Sequence, residues 1–155
     1  MKNNHSNVWK RRTMNKRLNE IKAVDIMSKF AITAASELTV SDLAHLLMRF
    51  KISGVPVVSR NKEIEGIITA TDLFEIMKKI TQKMGNDAEI EARDSFYVKD
   101  VMTKSVFSVS AETTLLEIIK LMCEKNIHTL PVISGKEIIG IIGRRDVINA
   151  FYAEV

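Results

Sequence analysis

The alternation of hydrophobic and polar residues predicts the same series of elements in both halves of the chain. Each half begins with a short apolar turn and a brief strand, and apolar residues then recur at helical spacing. Two strand segments, joined by a short polar connection, and a closing helix follow. The first half contains "VDIM", "AIT", "VPVVS", "IEGIIT" and "TDLFEIMKKITQKM". The second half contains "KDVM", "VFSV", "LPVIS", "IIGIIG" and "RDVINAFYAE". The pattern therefore predicts mixed helices and strands.

The central helix of each half has a recognisable start. Thr39 stands three residues before Asp42, and Thr114 stands three residues before Glu117. At this spacing the hydroxyl and the carboxylate satisfy amide hydrogens that a starting helix leaves free. Both pairs therefore predict capping boxes. Cys123 lies within the second of these helical patterns, where we expect a small buried apolar residue and not a nucleophile.

The two halves are copies of one unit of about 50 residues. The segments that start at Val24 and Lys99 align without a gap at an offset of 75, and one deletion then shifts the offset to 74, which aligns Asp72 with Asp146. One such unit has too few residues to bury its own apolar faces, so we expect the two copies to pack together. The predicted organisation is a basic arm (1–22), a first copy (23–84), a polar linker (85–98) and a second copy (99–155).

Composition agrees with a folded protein and places the positive charge in the arm. Hydrophobic residues make up 46% of the 155 residues, enough for one compact domain or two small lobes that share a core. Residues 1–22 hold seven basic residues and one acidic residue, whereas the remainder holds 16 basic and 18 acidic residues. Such an arm is most often solvated, and contact with nucleic acid, anionic lipid or an acidic partner is the alternative. We do not expect nucleic-acid binding.

Several classes of protein are disfavoured by what the chain lacks. The amino terminus has no apolar core of a signal peptide, and no apolar run approaches the roughly 20 residues that cross a bilayer, so we expect a cytoplasmic protein without membrane insertion. There is also no glycine-rich phosphate loop, no metal-ligand cluster at zinc-like spacing and no histidine paired with the single cysteine. We therefore expect no catalytic residues, no metal and no enzymatic activity.

Three motifs that recur in order carry a resemblance to a known family. They are "DIMS" and "DVMT" at the start of each copy, "SGVPVV" and "HTLPVI" at the second strand, and "GIITATD" and "GIIGRRD" at the third. Over residues 24 to about 152 the chain resembles a pair of CBS domains, named after cystathionine β-synthase and together called a Bateman module. The resemblance implies an α+β sandwich of two β-α-β-β-α repeats packed about a pseudo-twofold axis, with two clefts for adenosine-containing ligands. Such modules commonly dimerise.

The principal cleft is expected at the end of the third strand of the first copy. A carboxylate at a helix start accepts hydrogen bonds from both ribose hydroxyls, and Asp72 is placed for this, with the hydroxyl of Thr69 one turn away. The alternative is that Asp72 only caps its helix. The resemblance further implies that main-chain groups of Ser53, Gly54 and Val55 read the adenine edge.

The second cleft has the corresponding residues in altered form. The resemblance assigns its ribose contact to Asp146 and its adenine contacts to Thr129 and Leu130. His128 stands where family members often have a basic residue that reaches the phosphates. A surface-exposed ring without a ligand is the alternative interpretation of His128.

The last turn of the second copy departs from the family pattern. Gly143 supplies no hydroxyl, and Arg144 and Arg145 precede the aspartate. These arginines either bind phosphate through charge-assisted hydrogen bonds or form surface ion pairs with Glu137 or Asp146. We therefore expect two unequal clefts, the second being degenerate.

Three functions are compatible with these observations. The first is a regulatory module that senses AMP, ADP or ATP as its ligand and transmits binding to a partner as a conformational or oligomeric change. The second is a module that binds S-adenosylmethionine or another adenosyl compound, and the third is a dimerisation module without a ligand whose arm contacts nucleic acid. Because the chain ends with the second copy, we expect a stand-alone module that acts through self-association or an unidentified regulated protein.

Overall fold

The structure, a computed structural model, describes residues 13–83 and 96–153. Residues 13–20 form a helix, α1, that precedes the first copy. The first copy has a three-stranded sheet in which β1 pairs parallel to β2 and β2 pairs antiparallel to β3. Its elements are α2 (Ala23–Ile26), β1 (Ala34–Ala35), α3 (Val40–Phe50), β2 (Gly54–Val58), β3 (Ile64–Thr69) and α4 (Ala70–Lys83).

The second copy repeats this arrangement with the same topology. Its sheet has the order β4-β5-β6, with a parallel pair followed by an antiparallel pair. Its elements are α5 (Val98–Val101), β4 (Val109–Ser110), α6 (Leu115–Glu124), β5 (Thr129–Ser134), β6 (Glu137–Gly143) and α7 (Arg144–Tyr152). The predicted α+β class of two β-α-β-β-α repeats is therefore confirmed.

The predicted position of the first strand is wrong by a few residues. The sequence pattern places it at residues 31–33, whereas β1 is Ala34–Ala35, and the equivalent strand β4 begins only at the last residue of the predicted segment. Both strands are two residues long because only two residues of each align with the next strand, Ala34 with Val57 and Ala35 with Val58 in the first copy. Pairing, and not local hydrophobicity, sets their limits.

The predicted capping box is confirmed at α6, whereas at α3 the Asp42 carboxylate accepts from the hydroxyl of Thr39 in place of its amide. The Thr39 hydroxyl accepts the amide hydrogen of Asp42 at 3.1 Å before α3. Before α6, the Thr114 hydroxyl accepts from the amide of Glu117, and the Glu117 carboxylate accepts from the amide of Thr114 at 2.8 Å. The expected burial of Cys123 is wrong, since its side chain is exposed. The buried face of α6 is formed by Leu115, Ile118 and Met122.

Each hydrophobic core contains a short helix from the other copy. Ala23 of α2 is fully buried in the core of the second copy, among Ile118, Leu130 and Ile142. Val98 of α5 is fully buried in the core of the first copy. Because neither core is complete without the opposite α2 or α5 turn, the two copies fold around each other, as the small size of one unit predicts.

The exchanged segments are fixed by paired backbone hydrogen bonds. Ser28 and Ile141 exchange two bonds of 2.9 and 3.0 Å, and Thr103 and Ile67 exchange two bonds of 2.9 Å at the equivalent place. Residues that occupy equivalent positions also meet, since Glu63 forms a bridge with Glu137. A pseudo-twofold axis therefore relates the copies and passes between these two glutamates.

The described part of the basic arm packs against the second copy. Leu18 of α1 is 7% exposed. Arg17 donates hydrogen bonds to the carbonyl oxygens of Ala150 and Ala153 at the end of α7. A cation suits the carboxyl end of a helix, where carbonyl oxygens lack partners. Residues 1–12 of the arm and 85–95 of the predicted linker lie outside the described residues.

The segment that follows α1 is also held to the second copy. Lys22 donates a hydrogen bond to the carboxylate of Glu112, and this bond together with the charge of Glu112 raises the pKa of Lys22. The backbone amide of Leu115 donates to the carbonyl oxygen of Ile21. In residues 13–83 and 96–153, no helix has the length and apolar composition needed to cross a membrane.

Candidate functional site

The carboxylate of Asp72 has one oxygen bonded to the protein and one oxygen free. Its Oδ2 accepts hydrogen bonds of 2.7 Å from both the amide and the hydroxyl of Thr69, at the corner where β3 becomes α4. The Thr69 hydroxyl oxygen in turn accepts from the Asp72 amide at 3.4 Å. No described residue donates to Oδ1 of Asp72. The second oxygen is therefore free to accept hydrogen bonds from a ligand.

The equivalent corner of the second copy keeps the carboxylate and loses the hydroxyl. Oδ2 of Asp146 accepts a 2.7 Å hydrogen bond from the amide of Gly143, and none of the described residues donates to its Oδ1. Gly143 contributes no side-chain hydrogen bond to the start of α7. Each aspartate thus caps its helix and still presents one oxygen, so capping and ligand binding are compatible at both corners.

The first cleft contains Asp72 and takes its opposite wall from the second copy. This Asp72 cleft has a volume of about 300 Å³. Thr69 and Asp72 form one side, and segments around β4 and the start of β5 form the other. The residues that line it from the second copy include Ser105, Val106, Phe107, Lys125, Ile127 and His128.

The second cleft contains Asp146 and takes its opposite wall from the first copy. This Asp146 cleft is larger, with a volume of about 540 Å³. The second copy contributes Arg144, Arg145 and Asp146, while Ser53 and Gly54 lie on the other side. The residues that line it from the first copy also include Ser28, Phe30, Ile32 and Lys51. Both clefts have the size of small-molecule sites.

The lining of the clefts differs from the expected grouping of residues. Ser53 and Gly54 line the Asp146 cleft and Thr129 lines both clefts. The reason is the close approach of β2 and β5 at the axis. A Cβ atom on Gly54 would lie 3.1 Å from the hydroxyl oxygen of Thr129. Each corner therefore faces the strand of the opposite copy. Gly54 also pairs with Thr69, and Ser53 accepts from the amide of Ala70, beside the Asp72 corner, so their expected contacts with adenine stay predictions.

Val55 and Leu130 are not among the residues that line the two clefts, and the expected adenine contacts of their main-chain groups stay predictions. Both are fully buried, Val55 in the core of the first copy and Leu130 in that of the second. Alternate residues of a strand point to opposite faces, so the residue after each cleft residue points into the core. Val55 pairs with Ile68 in the sheet register.

His128 lies between the clefts and lines both. Its carbonyl oxygen accepts from the amide of Arg144 at 3.2 Å. At the equivalent place in the first copy, the carbonyl oxygen of Ser53 accepts from the amide of Ala70 at 2.8 Å. The residue His128 therefore belongs to the lining of both clefts, and its backbone carbonyl lies at the Asp146 corner.

The two arginines of the second corner differ in their contacts. The Arg144 guanidinium donates to the side-chain oxygen of Asn126 at 2.9 Å and to the carbonyl oxygen of Ile127 at 3.4 Å. Arg145 is exposed, and the structure records no hydrogen bond or ion pair for its side chain within residues 13–83 and 96–153. In the same described segments neither arginine pairs with Glu137 or Asp146, which the surface ion-pair interpretation requires.

The sequence did not lead us to expect that the segments following α2 and α5 line the clefts. Ile32 lines the Asp146 cleft, and Phe107, at the equivalent position, lines the Asp72 cleft. The recurring apolar residue at this place in both copies was the available signal. Across the described residues no group of three or more His, Cys, Asp or Glu side chains is placed to hold a metal ion.

Comparison with protein families gives a match to both copies. The model described as the CBS domain matches residues 23–79 and 98–153. Among curated proteins, inosine-5'-monophosphate dehydrogenase of Methanocaldococcus jannaschii is 32% identical over 129 residues, covering 83% of this chain and 23% of that enzyme. The chain spans about a quarter of the length of the curated enzymes that it matches.

Solved structures of CBS domain pairs have the same fold. A structure of CBSX2 in complex with AMP has a TM-score of 0.70 and 26% sequence identity, and the match covers 84% of this chain and 95% of that one. The CBS domain pair of protein MJ0100 in complex with 5'-methylthioadenosine and S-adenosyl-L-methionine has a TM-score of 0.71 and 24% identity, covering 84% and 94%.

Proposed function

The chain belongs to the CBS domain family, and on that premise we propose that it binds an adenine nucleotide, AMP, ADP or ATP, between its repeats and regulates another protein. CBS domain pairs of this fold bind adenosine compounds in solved structures. The enzymes that match this chain do so over about a quarter of their length. The proposed role is therefore regulatory and not catalytic.

The observation that carries the proposal is the state of the carboxylate at each corner, which has one oxygen bonded to the protein and one oxygen free. Asp72 and Asp146 each bind the preceding turn through Oδ2, so the position of Oδ1 is fixed before any ligand arrives. A fixed acceptor at the mouth of a cleft suits the two neighbouring hydroxyls of a ribose. The AMP complex of CBSX2, at 26% identity, supports an adenine nucleotide as the ligand.

An adenosyl compound such as S-adenosylmethionine is the second candidate, and the Asp72 cleft favours it. Val106, Phe107 and Ile127 give this cleft apolar surface, and its charged groups are one lysine and one aspartate. Because the positive and negative charges of this lining balance, its ligand does not need a negatively charged phosphate group. The aspartate is also compatible with the positive charge of a sulfonium group.

Ligand binding would be transmitted through the contacts by which each copy packs a helix into the core of the other. Both clefts have one wall from each copy, and each core includes a helix from the other copy. A ligand that prefers one relative arrangement of the copies therefore shifts the population toward it. We propose that a homodimer and an unidentified regulated protein respond to this shift.

A thermal-shift panel of AMP, ADP, ATP and S-adenosylmethionine tests the proposal. A ligand at about 100 times its dissociation constant stabilises the folded state by about 2.7 kcal/mol. For a chain of this size that corresponds to a rise in melting temperature of about 5 to 10 °C. A melting curve that none of the four ligands moves at millimolar concentration contradicts the proposed function.

The matched variants are Asp72→Asn and Asp146→Asn. An asparagine side-chain oxygen can replace Oδ2 as acceptor from the corner, which preserves the cap, but its amino group cannot accept a ribose hydroxyl. We expect the double variant to keep the melting temperature of the free protein within a few degrees and to lose the ligand-dependent rise. A full rise in the double variant would show that the carboxylates do not bind the ligand.

A further inference from the structure

We propose, on the basis of the proposed function, that the two clefts select ligands by their phosphate charge. The Asp146 cleft takes the adenine nucleotide with two or three phosphates. The Asp72 cleft takes an adenosine compound with one phosphate or none. The cleft with the altered corner thus becomes a polyphosphate site and not a degenerate copy of the first.

Equivalent positions at the two corners differ in charge. The two residues before the aspartate are Ala70 and Thr71 in the first copy, and Arg144 and Arg145 in the second. Thr71 lines the Asp72 cleft, whereas both arginines line the Asp146 cleft. The substitution therefore gives the Asp146 cleft two arginine residues in its lining, where the Asp72 cleft has a threonine.

The turns before β2 and β5 increase the difference in charge between the two clefts. Lys51 lines the Asp146 cleft, while Asn126, which aligns with it, lines the Asp72 cleft. The Asp146 cleft then has three cations against its aspartate, and the Asp72 cleft has Lys125 alone against Asp72. His128 lines both clefts and is not counted in this difference.

The cations of the Asp146 cleft retain unused hydrogen-bond donors. A guanidinium group has five N–H donors. Arg144 lines the Asp146 cleft, but two of its nitrogen atoms donate to Asn126 and Ile127, residues that line the Asp72 cleft. Arg145 is exposed, and its side chain makes no hydrogen bond or ion pair that the structure records among residues 13–83 and 96–153. Guanidinium groups bind phosphate oxygens in a forked geometry that lysine and neutral side chains do not provide.

The dimensions of the clefts agree with the charges. The Asp146 cleft has a volume of about 540 Å³, against about 300 Å³ for the Asp72 cleft. Each added phosphate lengthens the ligand and adds negative charge, so the larger and more basic cleft suits the longer polyphosphate. A near-neutral cleft instead penalises it, because burying unpaired phosphate charge is unfavourable.

Isothermal titration calorimetry with ATP, AMP and adenosine tests the assignment. The experimental variant is Arg144→Gln with Arg145→Gln, and Arg145→Gln alone serves as the second variant because it removes no contact recorded within the described chain. We expect the double variant to bind ATP about 10- to 100-fold more weakly and adenosine within about twofold of the wild type. The control, Arg60→Gln with Lys79→Gln, removes two cations that line neither cleft and should leave both affinities unchanged.

The two cleft variants locate the bound ATP. We expect Asp72→Asn to retain tight ATP binding and Asp146→Asn to lose it. Equal losses of ATP and adenosine in the arginine variants, an unchanged ATP affinity, or ATP binding that depends on Asp72 would overturn this inference while the proposed function stands. If none of the adenosine compounds binds the wild type, both are overturned.

Discussion

Glu117 forms the start of α6 with Thr114 through reciprocal hydrogen bonds. Its carboxylate accepts from the amide and from the hydroxyl of Thr114, both at 2.8 Å. These bonds favour the charged form, and they lower the pKa of Glu117 from its ordinary value although the side chain is exposed. The cap is therefore sensitive to pH.

We predict that Glu117 contributes stability at neutral pH that is lost in acid. Its ionised form is favoured by folding, so the contribution is present above the unfolded value near pH 4.5 and disappears as pH falls through the lower folded value. The stability difference between the wild type and Glu117→Gln should shrink between pH 7 and pH 3 in urea unfolding. Glu65→Gln, an exposed strand position without a cap, is the control. A difference that is constant with pH would contradict the assignment.

Lys62 and Gly135 have the same left-handed backbone conformation in equivalent turns. Both have φ of 61°, where glycine is unstrained and other residues lose about 1 to 2 kcal/mol. A Cβ atom on Gly135 would meet nothing within 4 Å, so conformation alone determines the effect of a substitution there. The first copy thus carries strain that the second copy avoids.

We predict opposite effects of exchanging residues at these two turns. Lys62→Gly should stabilise the protein by about 0.5 to 1 kcal/mol, since relief of strain exceeds the added freedom of the unfolded chain. Gly135→Ala should destabilise it by about 1 kcal/mol. Lys62→Ala, which keeps the strained conformation, should have little effect. Urea unfolding midpoints measure all three, and a destabilised Lys62→Gly protein would refute the explanation.

At the scale of elements, strands β3 and β6 each accept a methionine from the opposite copy at a glycine. A Cβ atom on Gly140 would meet Met27, at 2.8 Å from its Cγ, and would lie 3.0 Å from the carbonyl oxygen of Ser28. The same contacts recur between Gly66 and Met102. The glycines therefore leave room for the exchanged segments to pair with the strands.

We predict that Gly140→Ala destabilises the protein by about 1 to 3 kcal/mol, because the added methyl group overpacks a backbone contact and a side chain. Met27→Ala removes the flexible part of the conflict, so the double variant should be less destabilised than the sum of the single variants. A double-mutant cycle in urea measures this coupling. Strict additivity would show that Met27 does not determine the requirement for glycine.

Helix α1 marks the limit of local sequence patterns at this scale. Charge alone suggested a solvated arm, but Leu18 is 7% exposed and Arg17 binds the end of α7. The contact joins residues more than 130 positions apart in the chain, so no short-range periodicity contains it. By contrast, the hydroxyl caps at Thr39 and Thr114 follow from residues three apart and were predictable.

For the whole molecule, duplication made the fold predictable but not the composition of each cleft. Equivalent segments in both copies indicate the order of elements and the need for two units. Which strand faces Asp72 depends on how the units dock, and docking exchanges α2 and α5 between the cores. Thus Asp72 and Asp146 were recognised as site candidates, whereas the placement of Ser53 and Gly54 required the structure.

The helical surface of the first copy exposes apolar side chains. Met48, Phe74 and Met77 are 66%, 69% and 56% exposed, and they come from the neighbouring helices α3 and α4. Ile148 and Tyr152 of α7 are also exposed. Single exposed apolar residues are common, but a group on adjacent helices is typical of an interaction surface. This surface leads us to expect self-association.

We predict that the protein sediments as a dimer, with twice the 17.5 kDa mass of one chain. Phe74→Glu with Met77→Glu should shift it to the monomer, because two charges would lose their hydration in the interface. Arg60→Glu, in the turn between β2 and β3, is the matched control and should remain dimeric. Neither Phe74 nor Met77 lines the Asp72 or Asp146 cleft, so the monomeric variant should still bind nucleotide. A wild type that sediments as a monomer at tens of micromolar would contradict dimerisation.

A nucleotide-dependent dimer affinity would link the clefts to this surface, because a ligand that favours one arrangement of the copies also favours the assembly built from it.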